Sequence, residues 1–100
     1  MIEEKNAKIT KTFLGFEDHG LFTFFLHLDY GSSGQGAGGY VLGRSVEIIK
    51  KILEVVGVNE WEELPGKFIR VKAEHGKVHS IRNIIKGEWL NFDIFFEKEG

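Results

Sequence analysis

Glycines, cations and aromatics are the residues of this 100-residue chain whose types and spacing could do chemistry. Gly34-Gln35-Gly36-Ala37-Gly38-Gly39 has the G-x-G-x-x-G spacing of a turn whose backbone N–H groups approach a pyrophosphate. The context argues against that use, because the helix should begin inside the motif and here the helical pattern begins about six residues later. A looser form of the same chemistry stays open. Ser32, Ser33, Gly36 and Arg44 would receive an anionic group near a helix N-terminus, with Tyr30, Gln35 and Tyr40 adding hydrogen bonds and stacking. The simpler alternative is a mobile hairpin loop whose glycines permit tight geometry.

The second group is cationic. Arg70 and Lys72 share one face of a strand, and Trp89 follows the hairpin that contains them. Cations beside an aromatic can hold a phosphate and stack a base. If His75-Gly76 is a two-residue turn, Arg82 falls opposite Ile69 and points away from Arg70, so a given site would use one arginine or the other. In that register His79 lies opposite Lys72 and the two histidines diverge, which leaves no metal site. A solvated sheet face with Trp89 in the core is the plainer alternative. Glu17-Asp18-His19 and the Glu60, Glu62, Glu63 group read as turn and helix-surface residues. No serine or cysteine nucleophile stands in a catalytic pattern, so no catalytic residue is assigned and the chain is read as a non-enzyme with no cofactor.

The elements that must position these side chains follow from periodicity. Residues 6–16 and 21–30 read as strands, the second with Phe22, Phe24, Leu26, Leu28 and Tyr30 on one face. Residues 31–39 read as the loop. Ser45 is placed to cap a helix over 46–56 that Gly57 stops, and Asn59 with Glu62 has the spacing of a capping box for a short second helix. Residues 67–74 and 77–85 read as a hairpin, and 90–97 as an apolar terminal strand. The expected fold is one α+β domain over residues 1–100, an antiparallel sheet of about five strands with one main helix packed on it.

Composition bounds the rest. A net charge of −2 gives no attraction to nucleic acid, so direct nucleic-acid binding is not expected. The absence of cysteine excludes disulfides and thiolate metal sites. No apolar run reaches the roughly 18 residues of a membrane span, and the charged start has no signal-peptide character. Thirteen aromatics, nine of them Phe, exceed what so short a chain readily buries, which points to a homo-oligomer.

Three stretches carry a family resemblance: residues 14–20, then 28–30 with 34–40, then 53–81, including Trp61-Glu62-Glu63-Leu64-Pro65-Gly66-Lys67. Together they resemble a family of small proteins encoded by bacteriophages and prophages, and the likeness covers most of the chain. The resemblance implies a viral protein of the host bacterial cytoplasm that counters host defence. Its partner would be a nucleotide-like immune signal that it sequesters. The alternatives are a host defence protein, such as a CRISPR nuclease, that it blocks by binding, or a regulatory or assembly role in the phage.

Overall fold

Alternating apolar side chains draw most of the chain into strands. The computed structural model describes residues 2–31, 34–41, 46–74 and 77–99. Among these, the strands are β1 (Glu3–Phe16), β2 (Phe22–Asp29), β3 (Gly34–Val41), β4 (Phe68–Glu74), β5 (Lys77–Asn83) and β6 (Leu90–Asn91). The helices are α1 (Glu47–Val56) and α2 (Phe92–Glu99), and a single 3₁₀ turn, Trp61–Glu63, precedes β4. The strands form one antiparallel sheet in the order β3-β2-β1-β4-β5-β6. The α+β class holds, with six strands rather than five and a second helix at the C-terminal end.

The extra strand is the glycine run, expected as a loop. β3 pairs with β2 through Leu26↔Ala37, His27↔Gly36 and Asp29↔Gly34. Its glycines serve close approach: a Cβ on Gly36 would sit 1.9 Å from Cζ of Phe25, whose ring covers that stretch of backbone. Gly38 and Gly39 have φ of 123° and 80°, and Gly39 and Tyr40 together lie opposite Phe24. This bulge changes the alternation, so Ala37 and Tyr40 both face the core.

Residues 92–99 depart from the expected terminal strand. Asn91 Oδ1 accepts a hydrogen bond from the Ile94 N–H at 2.9 Å, which caps a helix in place of continued pairing. Phe92, Phe95 and Phe96, at helical spacing, then pack inward. Ile94, which strand alternation would bury, is 51% exposed. α1 starts at Glu47 rather than Val46, with Val46 as its N-cap residue, and ends at Gly57 in the left-handed region as expected. The capping box of the short turn joins Glu60 and Glu63, one residue beyond the expected Asn59 and Glu62.

The core cluster takes Ile9, Phe24, Leu26, Ile69, Val71 and Ile81 from the sheet, Ile48 and Ile52 from α1, and Phe92 from α2. Two further bulges bend the sheet around it, one between Ile9 and Lys11 and one between Lys72 and Ala73. The sheet curls until β3 lies against β5. No helix among the described residues is long and apolar enough to cross a membrane.

Because Phe25 occupies the space above Gly36, Gly36→Ala is expected to destabilise by about 1–3 kcal/mol. In a Phe25→Ala background the same change should cost much less, and urea denaturation of the four variants of the cycle measures the difference.

Candidate functional site

The outer, convex face of the sheet gathers the cations. β4 presents Phe68, Arg70, Lys72 and Glu74 there, while Ile69, Val71 and Ala73 face the core. The bulge between Lys72 and Ala73 leaves His79 as the extra residue of β5, so Arg82 pairs with Arg70 and Ser80 with Lys72. The two arginines therefore share a face. This corrects the register read from a two-residue turn, in which Arg82 fell opposite Ile69 and His79 opposite Lys72. His75 and Gly76 themselves lie outside the described residues, as do Ser32, Ser33 and Arg44.

Trp89 stands over this cluster. Lys72 Nζ lies 4.4 Å from the ring centroid and Arg82 Cζ 5.4 Å. Such contacts contribute roughly 0.5–1 kcal/mol each at exposed sites. Arg70 is anchored by β1, donating from Nη1 to Asn6 Oδ1 at 2.8 Å, with Glu4 Oε1 3.7 Å from its Nε. Arg82 differs: its Nε is buried without a hydrogen-bond partner among the described residues. A buried donor left unpaired costs about 1–3 kcal/mol. Trp89 also borders an open groove of about 620 Å³ between α1 and residues 85–90, where Lys51, Glu54, Asn83, Lys86 and Glu88 supply the polar lining. That volume lies within the range of small-ligand sites.

The remaining candidates lie elsewhere. Tyr30 donates to Gln35 Oε1 at 2.9 Å, with Lys5 Nζ 5.0 Å from its ring. Both Tyr30 and Lys5 belong to the core side of the sheet, away from Arg70. Burial, then the charge of Glu3, raises the Tyr30 hydroxyl pKa. Gly36 is covered by Phe25. The Tyr40 ring stacks on Phe96 at 4.3 Å between centroids and 9° between planes, so it is a core ring rather than a platform for a base. The structure brings together Arg70, Arg82 and Trp89, adds Lys72, and separates them from Tyr30, Gln35 and Tyr40.

A second polar cluster was not anticipated. Asp93, in the first turn of α2, accepts hydrogen bonds from Tyr40 Oη at 2.8 Å and Lys77 Nζ at 3.1 Å on Oδ1. His79 Nδ1 lies 3.1 Å from Oδ2, so that nitrogen carries the hydrogen, and Nε2 is 4.0 Å from Glu74 Oε1. The hydrogen bonds from His79, Tyr40 and Lys77 hold the Asp93 carboxyl at about 2, below its ordinary 3.8. Burial and the bond to Asp93 raise the Tyr40 hydroxyl, and the bond to Asp93 raises Lys77. The cluster joins β3, β5 and α2. No group of histidine and carboxylate side chains among the described residues could hold a metal ion.

No protein-family model, curated protein or solved structure matches the chain.

Since the Asp93 pKa is depressed in the folded state, its stabilisation is complete above the unfolded value near 3.8 and disappears as the pH falls through about 2. The side chain is 44% exposed, so screening reduces the effect. Asp93→Asn is expected to cost about 1 kcal/mol at pH 7. Thermal melts from pH 7 to pH 2 should show the gap between the two proteins closing below pH 4.

Proposed function

We propose that this chain is a non-enzymatic binding protein whose outer-face cations receive the phosphate of a nucleotide-like ligand. The observation that carries this reading is the cross-strand pair Arg70 and Arg82 on one face of the sheet, beside Lys72 and Trp89. Guanidinium groups suit phosphate because their fork of donors matches its oxygens. The neighbouring groove is large enough for a base or ribose beside Trp89, and its lining balances Lys51 and Lys86 against Glu54 and Glu88. Electrostatics supports the assignment as well. Adjacent like charges on one sheet face repel, and a bound dianion removes that repulsion. With the resemblance to phage proteins, the ligand class becomes a host immune nucleotide, sequestered in the bacterial cytoplasm rather than degraded.

A second reading, a protein–protein inhibitor of a host defence effector, is favoured by a different observation. Phe13, Leu14, Phe16 and Leu21 are exposed together at the β1–β2 end of the sheet.

Calorimetry against cyclic and ADP-ribose-type nucleotides separates the two. The first reading expects saturable binding, with the ligand recovered at unchanged mass. Arg82→Ala and Arg70→Ala should each weaken binding roughly ten- to a hundredfold, the loss of one charge-assisted contact. Absence of nucleotide binding, with a stable complex formed with a host effector, would replace it by the second.

A further inference from the structure

β1 is fourteen residues long, but β4 covers only its first part, pairing with Glu3 to Lys8. The last bonds on that side are Ile9 N–H to the Lys67 carbonyl at 2.8 Å and Gly66 N–H to the Ile9 carbonyl at 2.6 Å. The chain then leaves through Pro65. From residue 11 to residue 16, β1 has β2 along one edge and no strand along the other among the described residues.

The direction of the unpaired backbone groups follows from the register. Glu17 N–H donates to the Leu21 carbonyl at 2.9 Å, which closes the hairpin as a hydrogen-bonded pair. Counting back by twos, Gly15↔Thr23, Phe13↔Phe25 and Lys11↔His27 are the pairs that bond to β2. Thr12, Leu14 and Phe16 therefore aim their N–H and C=O groups at the open edge. The side chains there are apolar as well: Phe16 is 72% exposed, and Phe13 and Leu14 are also open to solvent. A long apolar edge of this kind is a template for another strand.

We propose that this edge pairs with the same edge of a second copy, antiparallel about a two-fold axis through Leu14. Of the alignments that keep Thr12, Leu14 and Phe16 bonded, this one also matches charge. Leu14 meets Leu14, Thr12 meets Phe16, and the three pairs exchange about six main-chain hydrogen bonds. Lys11 then lies directly opposite Glu17 of the second copy, and the two-fold axis repeats the contact. An axis through Phe13 places Lys11 opposite Gly15, and one through Gly15 places Glu17 opposite Phe13, so both lose the pair. Glu17 is a fixed acceptor: its Oε1 takes the N–H groups of His19 at 2.6 Å and Leu21 at 3.2 Å, and its Oε2, which lies 3.2 Å from the exposed His19 Nδ1, keeps lone pairs for a further donor. Lys11 is exposed, with no ion-pair partner among the described residues. The pairing would extend the sheet continuously through two subunits, leaving the Arg70–Trp89 face of each open. The inference is independent of the nucleotide reading.

Sedimentation of the full chain at tens of micromolar should give a dimer. Lys11→Glu, a change at an exposed side chain, should raise the dissociation constant about tenfold, because both symmetric contacts become repulsive. The chain contains no cysteine, so Leu14→Cys supplies a single thiol that should cross-link two copies through a short reagent, whereas Lys50→Cys should not. Circular dichroism of each variant checks that it is folded. A wild-type monomer, or a dimer that Lys11→Glu leaves intact and Leu14→Cys fails to link, overturns the proposal.

Discussion

The Asp93 carboxylate is the polar contact around which the curled sheet closes. It is one group from α2 bonded at once to Tyr40 of β3 and to Lys77 and His79 of β5. Those strands are not neighbours in the sheet, and the carboxylate keeps them together only if the sheet is strongly curled. The aromatic stack beneath it belongs to the same arrangement. Phe24, Tyr40, Phe92 and Phe96 meet at centroid distances of 4.3 to 6.5 Å, with α2 filling the concave side. The polar bonds orient the helix and the rings supply the buried area, so each makes the other's geometry favourable.

Curling separates two environments. The concave side is apolar and closed by α1 and α2. The convex side collects charge, because the residues of β4 and β5 that alternate with its core positions are Arg70, Lys72 and Arg82. The bulge at His79 serves both sides. It turns His79 toward Asp93 and, by advancing the register one residue, moves Arg82 onto the same face as Arg70. One irregularity in β5 thus serves both the Asp93 lock and the cationic cluster on the convex side.

Much of this was legible in the amino-acid sequence. The alternation in 22–30 and 68–74 and the Gly57 stop are local signals, and they led to β2, β4 and α1 with ends close to those observed. The glycine run was not legible as a strand because its pairing is carried by backbone and by the neighbouring Phe25 ring, not by side chains of its own. Residues 90–97 satisfied both periods: Phe92, Ile94 and Phe96 alternate, while Phe92, Phe95 and Phe96 share a helical face. Asn91, a good capping residue, was the signal that distinguished them. For the candidate site, Arg70, Arg82 and Trp89 were identifiable by residue type, but their common face rested on a bulge with no marker in the sequence. The Asp93 cluster unites positions 40, 77, 79 and 93, and no local spacing announces such a meeting.

The composition of β3 has a consequence for how the protein is made. Four of its eight residues are glycine, so ordering it sacrifices more backbone freedom than ordering any other strand of this length. Part of what offsets this loss comes through Tyr40, whose hydroxyl partner lies 53 residues further along the chain. While the protein emerges from a ribosome, β1 and β2 can form their hairpin as soon as both are exposed. β3 gains its hydrogen-bonding anchor only once Asp93 has been synthesised and α2 has coiled. For that interval only its backbone ladder and the Phe25 ring hold β3 to β2, and the nascent chain must reach its lock before another strand displaces it.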